Sequence, residues 1–133
     1  MALEVHVVTP EREVWAGQAT EVIAHGVDGD VGILTGHAPL LVHLAVGPFQ
    51  IQREDGTWLN AVVDGGFLHV STEEGVSRVD VLATNAQLET EIDVDAVRRR
   101  LEELRSVGGE QDDEHVKTEI ARAEARIALT ASR

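Results

Sequence analysis

Cysteine is absent from the 133 residues of the chain. This absence excludes disulfide bonds and thiolate-bound metals, and it is typical of an intracellular protein. Long hydrophobic runs are missing as well: no stretch of about 18 apolar residues occurs, so we predict no transmembrane helix. Residues 1–6 (MALEVH) lack the basic and apolar regions of a signal peptide, so we expect no secretion signal.

Basic side chains are scarce: 11 Lys and Arg stand against 24 Asp and Glu, a net charge of −13. A nucleic-acid partner needs clustered Lys and Arg to neutralise phosphates, so this class of partner is not expected. Unaided binding to an anionic membrane surface is disfavoured for the same reason. The charge also differs along the chain, from −9 over residues 1–84 to −4 over residues 85–133, which indicates two parts.

The first part reads as a series of strands. Short apolar segments with period-two alternation are interrupted by Gly, Pro, Asp and Asn up to Thr84. Eight or nine such segments, spaced by roughly 8–12 residues, predict an antiparallel β-sandwich or barrel over residues 1–84. We expect Asp64-Gly65-Gly66 to separate two of these strands.

The stretch that organises this part is residues 29–41 (GDVGILTGHAPLL). It cannot lie inside a helix, because each Gly would cost about 1 kcal/mol there and Pro about 3 kcal/mol. We predict a strand over residues 31–34 and a fixed turn from Gly36 to Pro39. Gly36 can adopt a positive φ, and Pro39 fixes its own φ and favours extended geometry before it.

From Asn85 the apolar period changes to that of a helix. Asp93 is a predicted N-cap, and Gly108-Gly109 is expected to end the first helix. A second helix is predicted from about Asp112. The narrow apolar stripes of the two helices are Val94, Val97, Leu101 and Leu104, then Val116, Ile120, Ala123 and Ile127. Such stripes predict an antiparallel two-helix hairpin domain over residues 85–133, which must dock on its own sandwich or on a partner.

Catalytic signatures are missing. The spacing Gly26-x-x-Gly29-x-x-Gly32 lacks the Lys-Ser/Thr ending of a phosphate-binding loop and opens no helix, so we interpret these glycines as turn residues. The histidines are scattered at positions His6, His25, His37, His43, His69 and His115. A metalloenzyme that uses them is an alternative, but none shows paired ligand spacing with a carboxylate. We therefore expect no enzyme, no catalytic residue and no metal.

Three segments resemble, in the right order, the signatures of the epsilon subunit of bacterial and chloroplast rotary ATP synthases. They are residues 29–41, residues 63–70 (VDGGFLHV), and residues 81–93, which contain VLA, NA and EID. The likeness covers essentially the whole chain. It implies a β-sandwich followed by a helical hairpin, in a non-catalytic subunit of the central stalk.

The resemblance also implies partners and a regulatory role. The sandwich would couple the gamma subunit to the c-ring, at the cytoplasmic face of a bacterial cell membrane rather than in a plastid. The hairpin would fold onto the sandwich, or extend toward the alpha and beta catalytic subunits and inhibit ATP hydrolysis. A switch of this kind needs two packings of similar free energy. No direct membrane insertion and no required cofactor are expected.

By the same resemblance, Asp30 would approach the loops of the c-ring, and the segment from His37 would lie near gamma. The implied interface residues are Asp30, Gly36, His37, Ala38, Pro39, Leu40 and Leu41. Asp30 has an alternative interpretation as an acid that caps a turn. For Gly36 and Pro39 the resemblance adds an interface to the structural role derived above.

Some members of that family bind ATP through the hairpin, with an Ile/Leu-Asp-x-x-Arg-Ala motif. In those members a Glu stands shortly before the motif. This chain departs from the pattern, because Ala96-Val97 follows Ile92-Asp93-Val94-Asp95, so the motif Arg is missing, and Gln87 stands where the preceding Glu would be. Charge-assisted hydrogen bonds are roughly twice as strong as neutral ones, so these losses matter. An ATP-sensing module remains the alternative function. Its candidate contacts are Ile92, Asp93, Arg99, Arg122 and Arg126.

Overall fold

The structure, a computed structural model, describes residues 3–106 and 113–131. Within these ranges the chain forms seven strands, a short 3-10 helix and two α-helices. The strands are β1 (Leu3–Val8), β2 (Glu13–Gly26), β3 (Gly29–Leu34), β4 (Leu40–Arg53), β5 (Trp58–Glu73), β6 (Val76–Ala83) and β7 (Ala86–Leu88). The 3-10 helix (Glu89–Glu91) leads into α1 (Val94–Ser106), and α2 (Glu114–Thr130) follows. The predicted fold class, a β-sandwich followed by a helical hairpin, is confirmed.

The strands form two layers, and the three longest strands contribute to both. The first layer contains β1, β6, the first part of β2, the first part of β4 and the last part of β5. The second layer contains β3, β7, the last parts of β2 and β4, and the first part of β5. These pairings are antiparallel except that of β1 with β6, which is parallel.

Alternation builds the core between the layers. In β1, Leu3, Val5 and Val7 are buried whereas Glu4 and His6 point outward, as period-two geometry requires. Phe49 on β4 is the largest fully buried side chain. Because neighbouring strands repeat this pattern, one face of each layer lies in the core and the other face is available for contacts.

The strand β5 differs from the prediction. Asp64-Gly65-Gly66 was expected to separate two strands, but β5 runs without interruption from Trp58 to Glu73. Gly65 has a φ of 90° and Gly66 a φ of 122°, so the two glycines let the strand pass from the second layer into the first. A Cβ on Gly66 would clash with the backbone of Leu82 and Ala83. The expected break and the count of eight or nine strands are therefore wrong.

The helices begin as predicted, or close to it. The Asp93 carboxylate accepts a hydrogen bond from the Ala96 N–H at 3.1 Å, which confirms the N-cap of α1. The second helix begins at Glu114, and the Asp113 carboxylate caps it by accepting from the His115 N–H at 2.9 Å. The predicted helix end at Gly108-Gly109 lies outside the described residues.

The sheet continues past Thr84, the predicted end of the sandwich domain. Ala86 pairs with Val63, and Leu88 pairs with Ala61, so β7 is an edge strand of the second layer. The hairpin therefore begins after the 3-10 helix. Neither of the described helices is long and apolar enough to cross a membrane.

Candidate functional site

The predicted turn at Gly36 is present and is attached to the sheet. Gly36 has a φ of 85°, and its N–H donates to Ser77 Oγ on β6 at 2.9 Å. The His37 N–H donates to the Leu34 carbonyl at 3.1 Å and closes the turn. Ala38 and Pro39 are exposed. The turn is therefore a rigid projection whose conformation depends on one glycine.

Asp30 and the start of β4 lie on a common surface. Asp30 Oδ1 is 2.6 Å from Nδ1 of His25, on the neighbouring strand β2. Asp30, Leu40 and Leu41 line one shallow depression of about 230 Å³. The structure thus brings together three of the seven predicted interface residues, whereas Gly36 to Pro39 form a separate projection.

Part of the outer face of the first layer is apolar and exposed. Leu41 on β4, Phe67 on β5 and Leu82 on β6 have exposed fractions of 65%, 49% and 62%. Phe67 lies opposite His43 on one side and opposite Leu82 on the other, and the rings of His43 and Phe67 stack at 5.0 Å. We call Leu41, His43, Phe67 and Leu82 the exposed apolar face. A contiguous apolar patch of this kind marks an interaction surface.

The sequence analysis missed Phe67 and Leu82. A signal for them was present, because Phe67-Leu68 and Val81-Leu82 place apolar residues at consecutive positions of a strand. Consecutive strand residues point to opposite faces, so one member of each pair must face outward. An apolar residue on the outer face indicates a covered or interacting face.

The second layer contacts the hairpin through a buried ion pair. Arg126 on α2 donates from Nη1 to Asp64 Oδ1 at 2.8 Å and from Nη2 to Asp64 Oδ2 at 2.7 Å. The Arg126 side chain is 8% exposed and the Asp64 side chain 1% exposed. The two residues are 62 positions apart in the sequence. This bidentate geometry is the strongest form of side-chain ion pair.

Polar groups of the sandwich and the hairpin surround this pair. Arg126 Nε donates to Gln87 Oε1 on β7 at 2.7 Å, and Asn85 Nδ2 donates to Asp64 Oδ2 at 3.2 Å. Arg122 Nε lies 4.0 Å from Asp64 Oδ2, while Arg122 Nη1 donates to Glu119 at 2.9 Å. We call Asp64, Asn85 and Gln87 on the sandwich, with Arg122 and Arg126 on α2, the docking junction. It borders a cavity of about 510 Å³.

The five predicted ATP contacts do not form one site. Arg122 and Arg126 line the cavity at the docking junction. Asp93 caps α1, Ile92 is buried, and Arg99 is exposed on α1. The two arginines that do come together are already directed at a carboxylate of the protein.

A second contact lies where the sandwich leads into α1. Arg12, between β1 and β2, donates to Glu91 Oε1 at 2.8 Å. This hydrogen bond, together with that from the Leu88 N–H, lowers the pKa of Glu91. The pKa of Arg12 is raised by the same bond. The pair connects the 3-10 helix, which precedes the hairpin, to the β1–β2 connection of the sandwich.

The histidines do not form a ligand set in the described parts of the chain. Over residues 3–106 and 113–131, no three His, Cys, Asp or Glu side chains are grouped so as to hold a metal ion. His43 belongs to the exposed apolar face, and His25 is paired with Asp30. The arrangement fits surface contacts better than metal chemistry.

Comparisons with known proteins agree with this geometry. Residues 2–89 match the family model described as ATP synthase, Delta/Epsilon chain, beta-sandwich domain. The ATP synthase epsilon chain of Streptomyces coelicolor is 39% identical over 135 residues, covering 100% of both chains. The ATP synthase epsilon chain of Frankia casuarinae is 47% identical over 88 residues, which are 66% of this chain and 99% of that one.

A solved structure shows the same fold inside a complex. A chain in the structure of the Euglena gracilis mitochondrial ATP synthase, comprising OSCP, F1 and c-ring in rotational state 1, superposes with a TM-score of 0.76. It is 25% identical, and the match covers 98% of this chain and 81% of that chain.

A β-sandwich with one exposed apolar face and one face closed by a helical hairpin defines a small subunit built for contacts with other proteins. The family model and the full-length relatives identify which one: the chain belongs to the ATP synthase epsilon-chain family.

Proposed function

We propose that this chain is a non-catalytic subunit of the ATP synthase central stalk and that its sandwich couples the gamma subunit to the c-ring. The observation that carries this proposal is the exposed apolar face centred on Phe67, which nothing in the described chain covers. Its relative in the Euglena complex belongs to an assembly that includes F1 and the c-ring. An exposed apolar face is stabilised by burial in such an assembly, at about 25 cal/mol for each Å².

Two neighbouring parts of the sandwich surface then have different partners. The exposed apolar face and the neighbouring turn at His37 would contact gamma, because Leu41 joins the turn to that face. Asp30, at the β2–β3 hairpin, would approach the polar loops of the c-ring. A subunit in this position works at the cytoplasmic face of the cell membrane as a peripheral component, without inserting into the bilayer.

The helical hairpin would regulate ATP hydrolysis. Its contact with the sandwich contains a buried ion pair, which is directional and suits a reversible contact, and its mixed charges are exposed. The Frankia relative supports separate roles for the sandwich and the hairpin, since 99% of its length corresponds to only 66% of this chain. A chain of that size fits the sandwich without most of the hairpin. When released, the hairpin would reach the alpha and beta subunits and obstruct hydrolysis.

Cofactors are not required for either role. ATP binding through the hairpin is the alternative, and a phosphate would compete with Asp64 for Arg126, because both η nitrogens of that arginine donate to the Asp64 carboxylate. We therefore favour the coupling and inhibitory functions over ATP sensing. Titration calorimetry of the full chain with Mg-ATP at millimolar concentration distinguishes them, and binding heat would support the sensor.

The experiment that tests the proposed function compares two chains on a gamma-containing catalytic core. One is the full chain and the other ends after Glu91, so that β7 and the 3-10 helix remain. We expect both to bind the core and only the full chain to suppress ATP hydrolysis. Circular dichroism and thermal melting establish beforehand that the shorter chain is folded. Failure of both folded chains to bind would contradict the proposed function.

A further inference from the structure

The face of α2 that lies on the sandwich carries a buried charge. The buried residues of α2 are Ala123, Arg126 and Thr130, and α2 packs against β4 and β5. On the sandwich side Val62 of β5 is 0% exposed, although it does not belong to the core between the layers. The contact therefore combines apolar burial, which has no preferred direction, with one ion pair, which is directional.

The partner of this face is already assembled on the sandwich. The Asp64 N–H donates to the Asn85 carbonyl at 2.8 Å, and the Asn85 side chain donates back to the Asp64 carboxylate. Gln87, on the adjacent strand, presents its oxygen to Arg126 Nε. Asp64, Asn85 and Gln87 thus form a preorganised receptor for one guanidinium group, and the helix supplies that group.

Removal of one partner leaves the other charge without compensation. A buried ion pair roughly balances its own desolvation cost, so it adds little net stability compared with an apolar contact of similar size. The loss of a single partner, in contrast, leaves a buried charge and is strongly destabilising. If the hairpin departs, water reaches both groups and this penalty disappears. A pair of this kind therefore specifies where the hairpin docks and still permits its release.

We propose that the Asp64–Arg126 pair is the latch that determines the fraction of molecules in which the hairpin is docked on the sandwich. The inference rests on the proposed function, because it names the element that regulates the inhibitory hairpin. Arg122, whose Nε is 4.0 Å from the same carboxylate, is a secondary contact. The apolar stripes of α1 and α2 pack the two helices together, and Val97 and Ala123 of these stripes also line the cavity at the docking junction.

The test measures the distance between the hairpin and the sandwich in the isolated full chain. Two cysteines are introduced for spin labelling, Glu54→Cys in the β4–β5 turn and Ala121→Cys on α2. Because the chain has no cysteine of its own, the labels attach only at these two positions. Both positions are exposed. We expect one narrow distance distribution for the otherwise unaltered chain and an added longer component when the hairpin is released.

Two single variants remove the latch from opposite sides. Asp64→Ala and Arg126→Ala should each raise the ratio of undocked to docked molecules at least tenfold, which corresponds to about 1.4 kcal/mol. Arg105→Ala is the matched control, because Arg105 pairs with Glu124 at 3.5 Å within the hairpin and both are well exposed. The control should leave the distances unchanged. An unchanged distribution in Arg126→Ala, whose altered side chain lies on the helix and outside the core of the sandwich, would overturn the latch.

Two further variants separate an ion-pair latch from simple packing. Arg126→Met keeps most of the side-chain volume but leaves the buried Asp64 carboxylate without its charge partner, so we expect this single variant to undock. Asp64→Leu with Arg126→Met replaces the pair by apolar groups of similar volume, and such exchanges are often neutral or stabilising, so we expect the short distance to return. If Arg126→Met alone stayed docked, packing and not the ion pair would hold the hairpin, and the latch would be overturned.

The latch and the proposed function fail in different ways. The distances are measured without any rotor subunit, so they test the latch alone. If the distances shift as expected but Asp64→Ala does not change ATP hydrolysis by the catalytic core, the latch stands and the regulatory function is contradicted. If the distances do not shift, the latch is wrong whatever the effect on hydrolysis.

Discussion

The two outer faces of the sandwich differ in what covers them. The first layer exposes Leu41, Phe67 and Leu82, whereas the second layer is covered by α2 through Asp64 and Arg126. Apolar contacts have no preferred direction and become more favourable as the buried area grows, so they suit a partner that stays bound. Bidentate ion pairs are directional and cost little to exchange for water, so they suit an element that leaves and returns.

This difference explains how one small chain can be both anchored and mobile. The strand β5 contributes to both faces, with Asp64 before the two glycines and Phe67 after them. The crossing at Gly65-Gly66 places a polar residue on one outer face and an aromatic residue on the other. We call the exposed apolar face, which would bind the permanent partner, the anchor. The anchor and the Asp64–Arg126 latch are therefore held in fixed relative positions by the single strand β5.

The largest expected effect is on the anchor. Phe67→Glu places a charge at the centre of the exposed apolar face, and central aromatic residues carry most of the energy of an interface. We expect affinity for a gamma-containing core to fall by on the order of 100-fold, as measured by surface plasmon resonance. Val76→Glu, at the far end of β6 and equally exposed, is the control and should bind normally. Normal binding by the folded Phe67→Glu chain would contradict the assignment of this face.

The crossing itself should be the next most sensitive position. Gly66→Ala introduces a Cβ at a φ of 122° and against the backbone of Leu82 and Ala83. We expect the free energy of unfolding to fall by about 2–4 kcal/mol in a urea titration. Gly56→Ala also has a positive φ of 88° but open space around it, and should cost about 1 kcal/mol. Equal losses at the two positions would show that the crossing is not specially constrained.

A smaller change is expected at the predicted ATP residues. Arg122→Ala removes an arginine that lines the cavity at the docking junction and is only a secondary contact of Asp64, so any affinity of the chain for Mg-ATP should fall severalfold while the hairpin stays docked. Isothermal titration calorimetry measures this directly, with Arg105→Ala as the control for the loss of one positive charge. A measurable affinity that did not change in Arg122→Ala would exclude Arg122 as an ATP contact.

The smallest effect concerns pH. The hydrogen bonds from Arg12 and from the Leu88 N–H lower the pKa of Glu91 in the folded state. Its contribution to stability is therefore present above the unfolded pKa, about 4.3, and is lost as the pH falls through the lower folded pKa. We expect Glu91→Gln to flatten the dependence of the unfolding free energy on pH below about pH 5. If the unfolding free energy of Glu91→Gln depended on pH as that of the unaltered chain does, the Glu91 carboxylate would not contribute to this dependence.

Local signals in the sequence predicted local structure well. The turn at Gly36 needed a positive φ, and the structure gives it one. Asp93 was predicted to cap α1, and its carboxylate accepts from the Ala96 N–H. Each of these features is determined by residues only a few positions apart in the sequence. The local sequence therefore contains everything that is needed to predict it.

Features that depend on tertiary contacts could not be predicted in this way. Asp64-Gly65-Gly66 has the composition of a turn, but pairing on both sides keeps it within β5. Arg126 was named only as a candidate ATP contact, and its burial follows from a partner 62 positions away. Asp64 could therefore be neither placed nor paired from composition and periodicity. The strand β7, which follows Thr84, was not predicted because three residues are too short to show a strand pattern.

The most direct measurement compares Phe67→Glu with Asp64→Ala on the same gamma-containing core, recording binding and ATP hydrolysis together. The account predicts that Phe67→Glu fails to bind and leaves hydrolysis at the rate of the core alone. It predicts that Asp64→Ala binds as the unaltered chain does but suppresses hydrolysis more strongly, because its hairpin is released more often. If both variants lost binding to the same degree, or if Phe67→Glu still inhibited, the separation of anchor and latch would be contradicted.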